Sequence, residues 1–376
     1  MMDFGEFWAG LGYNRYFLVC VAILFSCHLI YVIYRSVVVL SKRNAASSSR
    51  EQGVSVIITS NNKAQFLKSN LEAFLTQDYN EYEVIVVDEC SEDETQDFLS
   101  EMQQKYPHLR TTRIFPDTKF RNTKKIAINI GILAAKYDIL LFSEITCVPE
   151  TKNWVKTMQS YFDPNTAVVL GFANYKAGKE SNRICRYFRF LRFLRMMLLV
   201  KGGMYVMGDG YNMAYRKSYY MEKRGFSKNS QIYLGYDSEM VKELSKKGEV
   251  KVVKDVEARI VIEDNRKKVC QEDCMYYYAI KRTWPFGVQL RVNTDFIVLF
   301  LLYAISGYLL LAGVLHKYIA MLILLTFLMD FIVINVYLKH LSQKKLFLTS
   351  FIVSIFGLFY KWYFNLYSIF TSKKWR

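Results

Sequence analysis

The sequence predicts an α/β domain built on a mostly parallel sheet and carried between apolar segments. Three observations lead there. Between residues 54 and 170, short β-branched runs alternate with helical patterns, as they do in strand–helix–strand units. Those runs stop abruptly in polar, often acidic clusters, and an open parallel sheet binds its ligands at that end of its strands. The 376-residue chain is 52% hydrophobic, yet the excess lies in the first 40 residues and the last 80, leaving a middle rich in Lys, Glu and Asp.

The first apolar segment is residues 16–34, YFLVCVAILFSCHLIYVIY. At about 1.5 Å per residue it nearly crosses a ~30 Å hydrocarbon core. A secretory signal peptide is the competing reading. Against it, the run is long, Asp3 and Glu6 precede it, and no small-residue cleavage site follows. Lys42, Arg43 and Arg50 come next, so the positive-inside rule puts residue 41 onward in the cytoplasm. The small, polar stretch within 41–53 reads as a linker.

Strand-like runs follow at Val54–Thr59, Glu83–Asp88, Thr111–Ile114, Asp138–Phe142 and Thr166–Leu170. Helical patterns lie between them, roughly at 64–77, 93–105, 123–136 and 150–162. In the third of these, Ile126, Ile130 and Leu133 make an apolar stripe at i, i+4, i+7. Residues 183–201 place Arg183, Arg186, Arg189, Arg192 and Arg195 at every third position among Phe, Leu and Met. That spacing draws a basic stripe round a helix, expected to lie on lipid headgroups. A solvated face of an ordinary helix is the alternative. Gly208–Arg216 (GDGYNMAYR) leads to a helical Lys217–Lys223, a turn at Gly225, a helix opened by Tyr233–Met240 and a last strand at Val250–Val253.

The tail returns to apolar sequence. Phe296–Leu315 and Tyr318–Leu338 are each about one membrane thickness, separated by His316 and Lys317, and predict a membrane hairpin. Lys339, His340, Lys344 and Lys345 would bring it back to the cytoplasm. Asp330, inside the second arm, is expected to bond to a neighbouring helix, a functional acid being the other reading. Residues 346–370 are apolar but carry Lys361 and Asn365. They read as an interfacial or re-entrant segment, or else as a span that leaves the basic end outside. The organisation is therefore an anchor at 1–40, a linker, a soluble domain at 54–290, a hairpin at 296–338 and a last apolar segment at 346–376.

The net charge of +16 fits an anionic membrane surface or a phosphorylated substrate. Nucleic acid is excluded, since neither zinc-finger spacing nor an RNA-stacking motif occurs. Seven scattered cysteines without framework spacing predict reduced thiols, and four scattered histidines make no metal constellation. Walker, GxGxxG, HExxH and GxSxG motifs are absent from suitable settings. The acidic strand ends remain. Such groups accept hydrogen bonds from a base or ribose, or hold a divalent cation against a diphosphate. Asp88 and Glu89 suit the first use, and Phe142–Cys147 is where the second is expected. Asp237 is a candidate general base.

These motifs resemble glycosyltransferase family 2, of GT-A nucleotide-sugar fold, in its bacterial form with an N-terminal anchor and a C-terminal membrane hairpin. The resemblance runs from about Val54 to Trp284. It rests on Val54–Asn62, on Val87–Thr95 (VDECSEDET) against VDDxSxDxT, on Lys124-Lys125 with Asn129 and Gly131, and on Gly208–Arg216 against GxGxNxAYR. It implies nucleotide contacts from Thr59, Asn61, Asp88, Glu89, Ser91, Asp93 and Lys124. It implies Mg²⁺ or Mn²⁺ at Glu144 and Thr146, and sugar or acceptor contacts from Gly210, Tyr211, Asn212, Tyr236, Lys281, Arg282 and Trp284. Asp237 becomes the base of an inverting transfer. The implied reaction moves one sugar from a nucleotide-sugar, UDP-linked above all, to a lipid-linked or glycan acceptor at the cytoplasmic face of a bacterial inner membrane, in cell-envelope glycan assembly. Three departures matter. The metal-holding Asp-x-Asp reads Glu144-Ile145-Thr146, Tyr236 replaces an acidic neighbour of Asp237, and Lys281-Arg282-Thr283-Trp284 stands where processive synthases carry Gln-x-x-Arg-Trp. The last argues against a polysaccharide synthase. The first two leave open a degenerate paralogue that binds donor or partner without catalysing.

Overall fold

The computed structural model describes residues 8, 10–41, 51–115, 123–178, 182–223 and 235–371. Residues 42–50 of the expected linker, with Lys42, Arg43 and Arg50, the turn at Gly225 and the basic end at 373–376 lie outside the described residues. The chain divides into two compact units, Met1–Ser41 with Lys281–Tyr363, and Lys42–Ile280 with Phe364–Arg376.

The larger unit is an α/β domain on a seven-stranded, mostly parallel sheet. Its strands are β1 (Val54–Ser60), β2 (Tyr82–Glu89), β3 (Leu109–Ile114), β4 (Ile139–Glu144), β6 (Thr166–Leu170), β8 (Met213–Arg216) and β9 (Glu249–Val252), ordered β3-β2-β1-β4-β8-β6-β9. β8 runs antiparallel to both neighbours, and the remaining pairs are parallel. Three short strands, β5 (Cys147–Pro149), β10 (Ile260–Ile262) and β7 (Ala173–Tyr175), form a second sheet in that order. The helices of this unit are α2 (Ala64–Leu75), α3 (Thr95–Lys105), α4 (Thr123–Ala134), α5 (Trp154–Ser160), α6 (Arg183–Lys201), α7 (Lys217–Glu222), α8 (Tyr236–Leu244) and most of α9 (Lys267–Thr283).

The sequence explains the sheet. All seven residues of β1 are buried, as a parallel strand covered on both faces demands. Ser55 is tolerated there because its hydroxyl donates to Glu83 Oε1 at 2.6 Å, and Glu83 is in turn held by Arg110 at 3.1 Å. The register sets Thr59 beside Glu144 and Ser60 beside Asp88, so three strand ends share one edge. Asn212 pins the pieces behind that edge. Fully buried, it donates to the carbonyls of Phe172 (3.0 Å) and Ala258 (2.8 Å) and accepts from the Trp154 indole N–H (3.1 Å).

The arginine stripe of α6 has partners inside this unit. Arg186 and Arg189 are buried. Arg189 donates to Ala173 O at 3.0 Å and to Asp273 at 2.9 Å, and pairs with Asp209. Arg192 meets Asp273 at 3.1 Å, and Arg195 donates to the Tyr277 hydroxyl. The thiol expectation is corrected for one pair. Cys185 of α6 and Cys270 of α9 form a disulfide, with Cα atoms 6.1 Å apart. The 85-residue separation gave no spacing signal, because side-by-side helices brought the two together.

The smaller unit holds α1 (Asn14–Leu40), α10 (Phe286–Leu311) and α11 (His316–His340), the three helices long and apolar enough to cross a membrane among the described residues. A fourth helix, α12 (Phe347–Thr371), begins within it. Val21, Leu302, Leu309 and Ile319 form a small packed core, while Ile23, Ile30, Leu311 and Met321 face outward, as lipid-facing residues do. Charge also joins these helices. His28, buried, has Nδ1 3.3 Å from Asp295 and Nε2 3.1 Å from Asp330, which Arg35 meets at 3.3 Å. Asp330 is thus bonded to a neighbouring helix.

Two outcomes follow. Asp330→Ala leaves His28 and Arg35 without their shared carboxylate, a loss of about 3 kcal/mol, read as a lower unfolding midpoint of the detergent-solubilised protein. An unchanged midpoint means these pairs contribute nothing. Asn212→Ala strands the Trp154 N–H and two buried carbonyls and costs about 2–3 kcal/mol in chemical denaturation. A cost under ~0.5 kcal/mol contradicts the pinning role.

Candidate active site

The turn after β2 is held by the acids the sequence singled out. Asp88 has no exposed surface. Its carboxylate accepts from Ser91 N–H (3.1 Å) and Gln96 Nε2 (2.5 Å), with Arg113 at 3.5 Å. Asp93 accepts from Ala64 N–H (2.9 Å) at the start of α2 and from the Thr95 hydroxyl (2.5 Å). Asn61 donates to Glu89 O, and the Ser91 hydroxyl accepts from Asn62 N–H at 2.9 Å. Asn62 and Cys90 adopt positive φ, 49° and 58°, and these contacts support the bends. Asp88, Ser91 and Asp93 therefore shape the loop with their own side chains, while Thr59 and Glu89 stand at the strand ends.

A cavity of about 320 Å³ opens at the same edge, within the range of small-molecule sites. Lys124, Glu144, Gly210, Tyr211, Tyr236 and Asp237 line it, and Thr59 joins them in the adjoining recess. Seven of the expected site residues thus converge. Asp237 sits in the first turn of α8, whose preceding Gly235 has φ 75°, a conformation glycine adopts freely. Gly210 lies close against the Asp237 carboxylate, which a side chain there would displace. A Cβ there stands 2.7 Å from Asp237 Oδ2, and without one its N–H donates to that carboxylate. Burial pushes the Asp237 carboxyl up to about 7; Lys124 pulls it down, and Asp209 and Glu144 push it further up. A carboxyl so placed exchanges a proton near neutrality.

Glu144, at the end of β4, receives the ammonium of Lys124, from the first turn of α4. Burial works against both charges and each partner outweighs it, so Glu144 lies below the usual carboxylate range and Lys124 above the usual amine range. Thr146 is buried, and Asp209 is bound by Arg189. A hard divalent cation takes six or more oxygens with anionic ones foremost. Here one carboxylate is capped by an ammonium, the next position offers a neutral hydroxyl, and a nearby acid is committed to a buried guanidinium. Among the described residues no three His, Cys, Asp or Glu side chains gather to hold an ion. The donor set does not fit the Mg²⁺ or Mn²⁺ that the resemblance implies.

Other expected residues lie elsewhere. Asn212 is the buried pin described above. Lys281, Arg282 and Trp284 belong to the helical unit, where Lys281 donates to Asn293 at 2.6 Å and Gln289 donates to the carbonyls of Arg282 and Trp284. The sequence reading missed α9, which lines the cavity with Glu272, Asp273, Tyr276 and Ile280. Tyr276 accepts from Gly235 N–H at 3.1 Å, next to the Asp237 turn. The i, i+3, i+7 spacing of Asp273, Tyr276 and Ile280 was the available signal.

Residues 55–222 match the family described as glycosyl transferase family 2. Among curated proteins, the chain is 27% identical over 197 residues to the dolichyl N-acetyl-α-D-glucosaminyl phosphate 3-β-D-2,3-diacetamido-2,3-dideoxy-β-D-glucuronosyltransferase of Methanococcus voltae, covering 50% of this chain and 54% of that one. It is 28% identical over 89 residues to an uncharacterised glycosyltransferase of Nostoc, covering 24% and 26%. The chain thus spans about half the length, or less, of these curated relatives. The mannosyltransferase of Pyrobaculum calidifontis, solved with GDP-mannose and Mn²⁺, superposes with a TM-score of 0.56 over 92% of this chain and 99% of that one, at 16% identity, a likeness of fold. Residues 55–222 are therefore a glycosyl transferase family 2 domain of GT-A-like fold, preceded and followed in sequence by long apolar helices.

Proposed function

We infer that this chain transfers one sugar from a nucleotide-sugar donor to a lipid-linked or membrane-proximal acceptor, with Asp237 as general base. One observation carries the reading most: a half-buried carboxyl, pushed up to about 7, on the wall of a cavity at the carboxyl edge of the sheet. Asp237 takes the proton of an acceptor hydroxyl. The oxygen bonds to the anomeric carbon as the bond from that carbon to the donor diphosphate breaks. The nucleoside diphosphate leaves with the bonding electrons, and the anomeric centre inverts because attack and departure are on opposite faces. Thr59 and Glu89 are the nucleotide contacts at the strand ends, and Gly210, Tyr211 and Tyr236 shape the sugar side.

The membrane setting supports such an acceptor. Three helices have the length and composition of membrane spans. Lys and Arg follow the first span and the hairpin in sequence, which favours a domain on the cytoplasmic face. The Methanococcus relative is named for a dolichyl-phosphate-linked sugar acceptor, and an acceptor of that chemistry, in cell-envelope glycan assembly, suits a tethered domain. The donor is a UDP-sugar or, as in the solved mannosyltransferase, a GDP-sugar.

Asp237→Asn abolishes transfer in a donor and acceptor screen while the variant still binds nucleotide. In the parent protein kcat/KM rises with pH through about 7, because the base acts deprotonated, and falls roughly tenfold per unit below. Undiminished transfer by Asp237→Asn, or a rate flat from pH 5.5 to 8, removes Asp237 from the mechanism.

A further inference from the structure

We propose that Lys124 supplies the positive charge against the donor diphosphate, and that this chain binds and uses its donor without a divalent cation. The inference rests on the transferase reading for its substrate but on separate residues for its argument.

Lys124 stands at the mouth of the sheet, its ammonium on the Glu144 carboxylate and its side chain about one-third exposed to the cavity. An ammonium has three N–H donors. Glu144 takes one, which leaves others for a phosphate oxygen entering the same cavity. Glu144 fixes the direction of the side chain, as a second carboxylate orients a metal. The position within the first turn of α4 adds the partial positive charge of a helix N-terminus.

Charge arithmetic supports the exchange. Two aspartates and a divalent ion sum to zero. One glutamate and one lysine also sum to zero. With Thr146 in place of the second carboxylate, Lys124 alone balances Glu144, and a divalent ion added there would meet no second anionic side chain. The extra methylene of Glu144, relative to aspartate, fits a carboxylate that reaches a side chain from a neighbouring helix. Asp209 cannot restore a metal site, because Arg189 holds it and is itself tied to Asp273 and Ala173 O. Breaking such a buried pair leaves a charge uncompensated, a heavy cost against the gain from one added ligand.

The test is calorimetric titration of UDP, GDP and dTDP into the purified full chain, in EDTA and then in MnCl₂, alongside a transfer assay under both conditions. The expected result is one diphosphate binding with equal affinity in both, and transfer that survives EDTA. Lys124→Ala should weaken that diphosphate roughly tenfold or more while leaving the matching monophosphate unchanged, and Lys124→Arg should retain most of the affinity. If Lys124→Ala does not fold, Lys124→Gln is titrated in its place. The triple change Lys124→Ala, Glu144→Asp and Thr146→Asp should convert binding to Mn²⁺ dependence. Parent binding that Mn²⁺ tightens roughly tenfold or more, or transfer found only with Mn²⁺, overturns the inference and leaves the transferase reading standing. Metal-independent diphosphate binding that needs Lys124, without transfer from any donor, defeats the transferase reading and leaves the inference standing. Binding of none of the three nucleotides defeats both.

Discussion

The ion pair between Lys124 and Glu144 sets the electrostatic terms at the mouth of the sheet. Burial alone drives the Asp237 carboxyl towards its neutral form. Lys124 is the principal charge opposing it, and Glu144 and Asp209 act the other way. The same ammonium thus neutralises the acid at the end of β4 and helps keep Asp237 poised near neutrality. Without it, two carboxylates would face each other in a poorly solvated space, and one would be held protonated.

The acids of the domain divide by what holds them. Asp209 and Asp273 are fixed by Arg189 and Arg192, and Asp88 by backbone and amide donors. Asp237 is held by a backbone N–H, at a glycine that lies close against it. The guanidinium partners of Asp209 and Asp273 commit both carboxylates to structural ion pairs, and, against its burial, Arg189 and Arg192 hold Asp273 below the usual carboxylate range. Asp237 has no guanidinium bound to it among the described residues, and its raised position keeps the affinity that proton transfer requires. The arginines of α6 belong to this division: the stripe that suggested lipid headgroups in sequence includes the cations that fix two of these acids.

The central strands were legible in sequence because a strand covered on both faces must be a near-continuous apolar run, as Val54–Thr59 and Glu83–Asp88 are. The convergence of Asp237, Gly210 and Glu144 was legible through the resemblance of their motifs to those of the family. What was not legible depends on contacts. β5, β7, β8 and β10 have three or four residues each, too few to show a period. α9 escaped notice because its apolar side is largely tyrosine. The roles of Asp88, Asp93 and Asn212 as internal ties appear only once Gln96, Ala64 and Trp154 are seen beside them. The change from Asp-x-Asp to Glu144-Ile145-Thr146 read as a weakened metal site, because the lysine that completes it lies 20 residues earlier, on another element.

The most direct measurement is anomalous diffraction at the manganese edge from crystals of the full chain grown with its preferred nucleoside diphosphate and MnCl₂. The account predicts the Lys124 ammonium within hydrogen-bond distance of a β-phosphate oxygen, still paired with Glu144, and no manganese peak at the end of β4. A manganese peak bonded to the Glu144 carboxylate and to the diphosphate, with Lys124 displaced, would contradict it.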